Sequence, residues 1–332
     1  MYDAILLFVF GLILLIKGGD WFVDSASSFA ARFKIPELLI GATVVSIGTT
    51  LPEVMVSATS AISGHGEMAY GNAVGSIICN TALIAAITVA VRPAKADRKS
   101  LKIPLIFFFG TSILYLLAAY ALGEYSRVVG ILLLSIFGAY MAVNIISAVR
   151  EMKNPSLPLP EEKAEEAEPE EKGGRAAMLR EILFLVVGAA LIALGANLLV
   201  DKGTFIAETI GIPESVIALT FVALGTSLPE LVTAITSLAK GHGALSLGNI
   251  IGANLFNMVL VTGVSAAIAP FPLPASKTIL GINASLLIDM PVMMLVMGIL
   301  TLPTLIRGKL SRAQGIVLLC IYAAFCTVQF VL

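Results

Sequence analysis

Two hexapeptides, GTTLPE at 48–53 and GTSLPE at 225–230, stand 177 positions apart in this sequence. The same shift aligns the chain with itself without a gap from Asp24 to Asn80. Asp24 meets Asp201, Pro36 meets Pro213, and Gly64-His65-Gly66 meets Gly241-His242-Gly243. GNAVGSIICN at 71–80 meets GNIIGANLFN at 248–257. A duplication of this kind constrains the fold more than any other feature, because one architecture has to serve both halves.

The surroundings of the repeat are oily. Hydrophobic residues make up 58% of the chain and charged residues 13%, against about 45–50% and about 25% in soluble domains. Ten apolar segments run at 4–30, 36–62, 68–91, 103–121, 127–149, 179–206, 213–239, 244–270, 278–302 and 313–331. Runs of about 18 or more apolar residues are transmembrane-helix candidates. The expected fold is an all-α polytopic membrane protein with ten transmembrane helices. Five fall in each half, and five is odd, so the second half enters the bilayer from the opposite face. The halves are then two inverted five-helix repeats, 1–149 and 179–332. Secondary transporters recurrently use this architecture, with the substrate site near the midplane where the repeats meet.

Between the repeats lies a water-loving stretch, 150–178, rich in Pro, Glu and Lys. It cannot bury a core and reads as a flexible acidic linker. An acidic run can capture Ca²⁺ as a regulatory site, but a plain solvated tether is the simpler reading. Loops after the odd-numbered segments hold 17 of the 21 Lys and Arg residues, from Arg32 and Lys34 to Arg307, Lys309 and Arg312. The positive-inside rule places those loops, and the linker, in the cytoplasm, with both termini outside and the protein in the cell membrane. The start, MYDAILLFVF, lacks the basic region of a signal peptide and reads as the first membrane helix. The net charge is −1 and no basic arm is present, so no nucleic acid is expected as a partner. Cys79, Cys320 and Cys326 lie in apolar runs at spacings that suit neither a zinc site nor a disulfide framework, and read as small buried hydrophobes.

In the first motif Ser46, Thr49, Thr50 and Glu53 fall on one helix face, at spacings of three and four. Pro52 has no N–H, so the carbonyl of Gly48 loses its helical partner. The expected result is a break that sets backbone oxygens beside hydroxyls and a carboxylate. Such a break at membrane depth is tolerated where it is enclosed by protein or lines a polar cavity. Hard cations such as Ca²⁺ and Na⁺ take all-oxygen shells of this kind. On the partner helix Asn72, Ser76 and Asn80 form a polar stripe, while Gly71 and Gly75 permit close helix approach. The second copy of the stripe is Asn249, Ala253 and Asn257. A charged side chain at mid-bilayer costs about 2.5–3.5 kcal/mol, and no Lys or Arg accompanies Glu53 or Glu230 in these segments. One Ca²⁺, two Na⁺ or two protons would each neutralise the pair, which is the competition an exchanger needs. The alternative, protonated packing residues, explains one such Glu better than it explains two in repeated oxygen-rich breaks.

At these residues the chain resembles the sodium/calcium exchanger family of the calcium/cation antiporter superfamily. The resemblance rests on GATVVSIGTTLPE with GNAVGSIICN, and ALTFVALGTSLPE with GNIIGANLFN. The hydrophobic layout and the short acidic linker extend it over the whole chain, as in a minimal, prokaryote-like member. The resemblance implies that Glu53 and Glu230 hold Ca²⁺. It implies side-chain and backbone oxygen from Thr49 and Thr226, and Na⁺-associated hydroxyls at Thr50 and Ser227. Ser46 and Ala223 would contribute backbone carbonyls, and Ser76, Asn80 and Asn257 fall on the polar stripes. Some sodium-coupled members carry a third acid where this chain has Asn257 and a serine where it has Ala253. These departures weaken one Na⁺ position and leave a Ca²⁺/H⁺ antiporter as the alternative.

Other classes fit less well. The chain has no HExxH or GxSxG motif for an intramembrane enzyme and no GxxxxGK[ST] loop for ATP. A cation channel also uses rings of oxygens, but inverted halves with broken helices favour alternating access. No cofactor and no obligatory protein partner is implied, only the transported ions and the lipid bilayer. His65 and His242, on opposite faces by inversion, read as turn residues. Lys17 with Asp20, and Asp24 with Asp201, read as interfacial anchors or local pairs, and Trp21 as an interface marker. Asp289 has no repeat mate and no role assigned from the sequence.

Overall fold

A computed structural model describes residues 1–32, 46–93, 98–152, 175–239 and 243–331. The acidic linker expected at 150–178 falls largely on 153–174, outside the described residues, as do His242 and Pro36. The described chain is overwhelmingly helical. In order it forms α1 (Tyr2–Arg32), α2 (Ser46–Thr49), α3 (Leu51–Ile62), α4 (Gly66–Val91), α5 (Arg98–Leu117) and α6 (Arg127–Met152). The second half forms α7 (Arg175–Ile210), α8 (Glu214–Thr226), α9 (Leu228–Ala239), α10 (Gly243–Phe256), α11 (Met290–Arg307) and α12 (Arg312–Val331). Among the described residues, eight helical spans are long and apolar enough to cross a membrane, so the protein is a multi-pass membrane protein. The apolar segments expected at 36–62 and 213–239 contain shorter helices instead, because each is interrupted at its motif.

Polar and apolar residues are distributed inside out relative to a soluble protein. Leu6, Ile106, Val128, Leu183 and Ile306 face outward, while Glu53, Asn72, Ser76, Asn80, Asn254, Asn257 and Asp289 are buried. Lipid makes the first pattern cheap, and the absence of water makes the second one costly unless it has a purpose. The repeat mates α4 and the span Gly248–Ile268 form the centre: 78% and 83% of their residues are buried, against 28% for α1, α7 and α12.

The α1–α7 pair brings one helix of each half into close contact. A methyl on Gly18 would stand 2.8 Å from the Gly188 carbonyl, and one on Gly195 would stand 2.7 Å from the Gly11 carbonyl. Gly11 therefore meets Gly195, and Gly18 meets Gly188, so these repeat mates pack antiparallel. Only glycine permits backbones that close.

Four helices carry wide π turns: Asn80–Ala85 within α4, Ala118–Leu122 after α5, Ala218–Val222 within α8, and Asn257–Val261 after α10. A fifth, Ser285–Asp289, leads into α11. The turns that begin at Asn80 and Asn257 start at repeat-mate positions. π turns cluster at functional sites because they widen the helix and re-aim side chains.

One segment boundary needs correction. The ninth apolar segment was expected to be helical from 278. Thr278–Ile279 and Ile282–Asn283 instead pair antiparallel as a small hairpin, and the helix follows it. Leu280 and Gly281, with φ of 53° and 79°, form the left-handed turn that a tight hairpin requires. An apolar run, TILGINA, concealed a turn whose only local marker is Gly281. The cysteines are free, but not uniformly buried: Cys79 is enclosed, Cys326 is half-buried and Cys320 faces out of the bundle.

Candidate ion-binding site

Both motifs break their helices at the same place. Thr50 separates α2 from α3 with φ −90° and ψ −3°. Its repeat mate Ser227 separates α8 from α9 with φ −86° and ψ 8°. Both lie in the bridge region of backbone space, where many active-site residues sit. The breaks are one residue long rather than extended. Thr50 N–H donates to the Ile47 carbonyl at 3.2 Å, and Val54 N–H donates back to Thr50 at 3.0 Å. Ser227 N–H donates to Ala223 at 3.1 Å, and Leu231 N–H donates to Ser227 at 3.1 Å. Pro52 sits in the first turn of α3, where its missing N–H costs nothing. Glu53 and Glu230 lie in the first turns of α3 and α9, where the helix dipole favours negative charge.

The breaks meet the other repeat's wide turns. Helix α3 packs on Asn257–Val261, and α9 packs on Asn80–Ala85. Each carboxylate-bearing helix thus lies against the asparagine-led π turn of the opposite half. Gly71 and Gly75, expected to allow close approach, are where α8 presses in. Added methyls there would fall 2.6 Å from the Ala218 side chain and 2.7 Å from the Leu219 backbone.

Glu53, Thr50, Ser76, Asn80, Thr226, Ser227, Ala223 and Asn257 are all buried. Glu230 is half-buried, with its Oε2 enclosed. Ser46 and Thr49 are described in backbone only, so their side chains lie outside the described ones. Glu230 and the hydroxyls of Thr226 and Ser227 stand close enough to act on the Glu53 carboxyl. None of them completes a hydrogen bond to it. Both Glu53 oxygens, Ser76 Oγ, Asn80 Oδ1 and Nδ2, Ser227 Oγ, Glu230 Oε2 and Asn257 Oδ1 are buried without a hydrogen-bond partner. Thr111 Oγ1 and Tyr125 Oη are buried without a partner elsewhere in the bundle, but they stand singly, and other buried hydroxyls are satisfied. Ser60 donates to Val56 at 2.8 Å, Thr220 to Val216 at 2.6 Å and Ser265 to Val261 at 2.8 Å. Buried polar atoms are ordinarily paired, and a concentration of unpaired ones calls for an ion or water. The unpaired atoms here are almost all oxygen, and no cluster of three His, Cys, Asp or Glu side chains forms among the described residues. Such a donor set suits a hard cation.

The profile of the "Sodium/calcium exchanger protein" family matches residues 3–146 and 180–331. The chain belongs to the sodium/calcium exchanger family. It is 30% identical to sodium/calcium exchanger MaX1 of Methanosarcina acetivorans, over 98% of both chains. It is 34% identical to the putative antiporter CaxA of Alkalimonas amylolytica, again over 98% of both. Its fold matches a solved structure of the sodium-calcium exchanger NCX_Mj with a TM-score of 0.61, at 29% identity over 97% of each chain. Members of this exchanger family are transporters rather than enzymes.

Several buried polar residues are not marked by the repeat. Asn249, the mate of Asn72, is exposed, so the second polar stripe is not continued there. The buried amide on that helix is Asn254, whose Nδ2 donates to Thr81 Oγ1 at 2.7 Å and contacts Met297 Sδ at 3.2 Å. Its mate is Ile77, so the symmetry of the repeat conceals it. Asp289 is held by donors from two other helices: Gln329 Nε2 at 2.6 Å and Tyr70 Oη at 3.3 Å. Lys277, beyond the membrane-spanning helices, donates to the Gln329 carbonyl. Burial pulls the Lys277 ammonium below its usual range, and the nearby Asp289 carboxylate opposes that shift.

His65 does sit in the turn before α4, and it also reaches across the repeats. Its Nδ1 lies 2.9 Å and 3.0 Å from the two carboxylate oxygens of Glu214, at the start of α8. Lys17 and Asp20 pair locally at 3.5 Å, and Trp21 packs edge-on against Phe184 at 5.2 Å.

Proposed function

We propose that this protein is a secondary active antiporter that exchanges Ca²⁺ for Na⁺ by alternating access. The observation that carries the reading is the concentration of unpartnered buried oxygens from both repeats, around the Glu53–Glu230 pair. Ca²⁺ binds between the two carboxylates near the midplane. Thr49, Thr226, Thr50, Ser227, Ser76, Asn80 and Asn257 supply further oxygens, and Ser46 and Ala223 supply backbone carbonyls. Two carboxylates at membrane depth repel each other and demand positive charge. Each ionic occupant makes the closed site electrically tolerable, and no occupant leaves two buried anions. That difference is what ties one ion's passage to the other's return.

The topology proposed with it has ten transmembrane helices, the interrupted segments α2–α3 and α8–α9 each counting as one. Both termini lie outside, and the linker lies in the cytoplasm of a cell-membrane protein. The names of MaX1 and NCX_Mj support the ion pair, and the antiparallel α1–α7 contact supports the inversion. Ca²⁺/H⁺ antiport is the second reading. It is favoured by Ala253, which carries no hydroxyl, and by Asn257, which carries no charge.

The test is uptake of radiolabelled Ca²⁺ into proteoliposomes under an imposed Na⁺ gradient, a pH gradient, or neither, at clamped voltage. Na⁺-driven uptake that disappears in Glu53→Gln and Glu230→Gln is the expected result. Uptake driven by the pH gradient alone selects the second reading. Equal uptake without any counter-ion gradient indicates a channel and ends both.

A further inference from the structure

Asn72 occupies a place that the ligand set does not explain. It is fully buried, and its side chain touches both motifs at once. Nδ2 donates to the Glu53 backbone carbonyl at 3.2 Å and to Ser57 Oγ at 2.9 Å. Oδ1 accepts from Thr226 Oγ1 at 3.2 Å. A backbone carbonyl can only accept, which fixes the amide nitrogen on the Glu53 side. The Thr226 hydroxyl has one proton, shared between Asn72 Oδ1 and the Ala223 carbonyl at 3.3 Å. A proton engaged by those two acceptors leaves the lone pairs of the oxygen for the ion proposed above.

The reach is short because of the residues around it. Gly71 and Gly75 flank Asn72 and let α4 approach α8 to a distance that a methyl would block. Asn72 stands where that close approach brings the end of α8 within range of an amide. Its repeat mate Asn249 is exposed, so the two asparagines are not buried alike.

We propose that Asn72 is a positioning residue that couples the two half-sites. It holds the Glu53 turn of the first repeat and the Thr226 hydroxyl of the second in the register that one cation requires. This rests on the ion-binding reading given above. A residue of this kind acts on ion affinity through Thr226, whereas a residue needed only for folding changes the amount of competent protein.

Equilibrium binding of radiolabelled Ca²⁺ to the purified full-length protein in detergent tests it, with affinity and number of sites read separately. Asn72→Ala is measured in three backgrounds: wild type, Thr226→Ser, which keeps the hydroxyl, and Thr226→Val, which removes it. The expected result is an affinity loss of about tenfold in the first two and about twofold or less in the third, the non-additivity of a coupled pair. The number of sites per folded protein stays unchanged. An equal loss in all three backgrounds overturns the coupling, and so does no loss in any of them. A fall in the number of sites with affinity intact also overturns it. If the alanine variant does not purify as folded protein, Asn72→Leu, similar in shape, carries the same cycle. Glu53→Gln serves as the control on the underlying reading. If it binds Ca²⁺ as wild type does, the ion site is wrong; if it does not bind and Asn72→Ala is normal, only the coupling is wrong.

Discussion

Two carboxylates, Glu53 and Asp289, are buried in one bundle and treated in opposite ways. Asp289 is met by Gln329 and Tyr70, with Lys277 nearby. Glu53 has both oxygens unpartnered and a second carboxylate as its neighbour. Burying a charge without donors is costly, and evolution of a stable scaffold would remove it. The first arrangement therefore belongs to structure: Asp289 ties α4, α12 and the start of α11 together. The second fits the ion proposed above, which would arrive and leave. A site that must release its ion cannot carry internal donors that satisfy the carboxylate in its absence.

The sharpest way to break this contrast is to neutralise each acid. Glu53→Gln removes a charge from the proposed site, and losing one partner of a buried charge pair costs about 3–5 kcal/mol, more than about a hundredfold in affinity. Ca²⁺ binding should vanish over the accessible range while the melting temperature without Ca²⁺ stays level or rises. Asp289→Asn should do the reverse. It leaves hydrogen-bonding groups mismatched at a cost of about 2–3 kcal/mol in stability, seen as a lower melting temperature in detergent, while Ca²⁺ affinity stays within about threefold. If the two variants exchange these phenotypes, the assignment of roles collapses.

Ligand-linked stability gives the next contrast. Ca²⁺ at about 100 times its dissociation constant should stabilise wild type and Asp289→Asn by about 2.7 kcal/mol, and Glu53→Gln by nothing measurable. Calorimetry or a fluorescence melt at graded Ca²⁺ reads this directly. Hydroxyls extend the comparison at smaller scale. Ser76→Ala removes an unpartnered oxygen and should weaken Ca²⁺ binding by about three- to tenfold, whereas Ser60→Ala removes a hydroxyl already bonded to Val56 and should change it by less than about twofold. The smallest effect belongs to Ala253→Ser. Restoring a hydroxyl on the second stripe should strengthen Na⁺ competition against Ca²⁺ by about two- to fivefold, measured as the Na⁺ concentration that halves Ca²⁺ binding. No change there would mean that position 253 does not face the ion.

The candidate site stood out in the sequence because its chemistry contradicts its surroundings. A carboxylate and hydroxyls beside a proline have few explanations in an apolar segment, and the second copy at Glu230 removed most of those. Asn72 was read as part of a stripe but not as the link between the motifs, since nothing local shows that Thr226 of the other repeat comes within 3.2 Å of it. Asn254 was invisible because its mate is an isoleucine, and reading by symmetry discards what symmetry does not repeat. The hairpin at 278–283 was missed because its strands are apolar and too short to show a period.

What the sequence determined by itself was therefore periodic or duplicated: the apolar spans, the repeat at 177 residues, and the two broken motifs. Hydropathy is a sum over many residues, and a duplication is a comparison of many positions, so both survive ignorance of the fold. The tertiary structure decided which polar atoms find partners. Hydrogen bonding depends on distances of a few tenths of an ångström between residues far apart in the chain. Only packing could show that Asp289 is satisfied, that Glu53 is not, and that glycines at 71 and 75 bring the second repeat close enough for Asn72 to reach it.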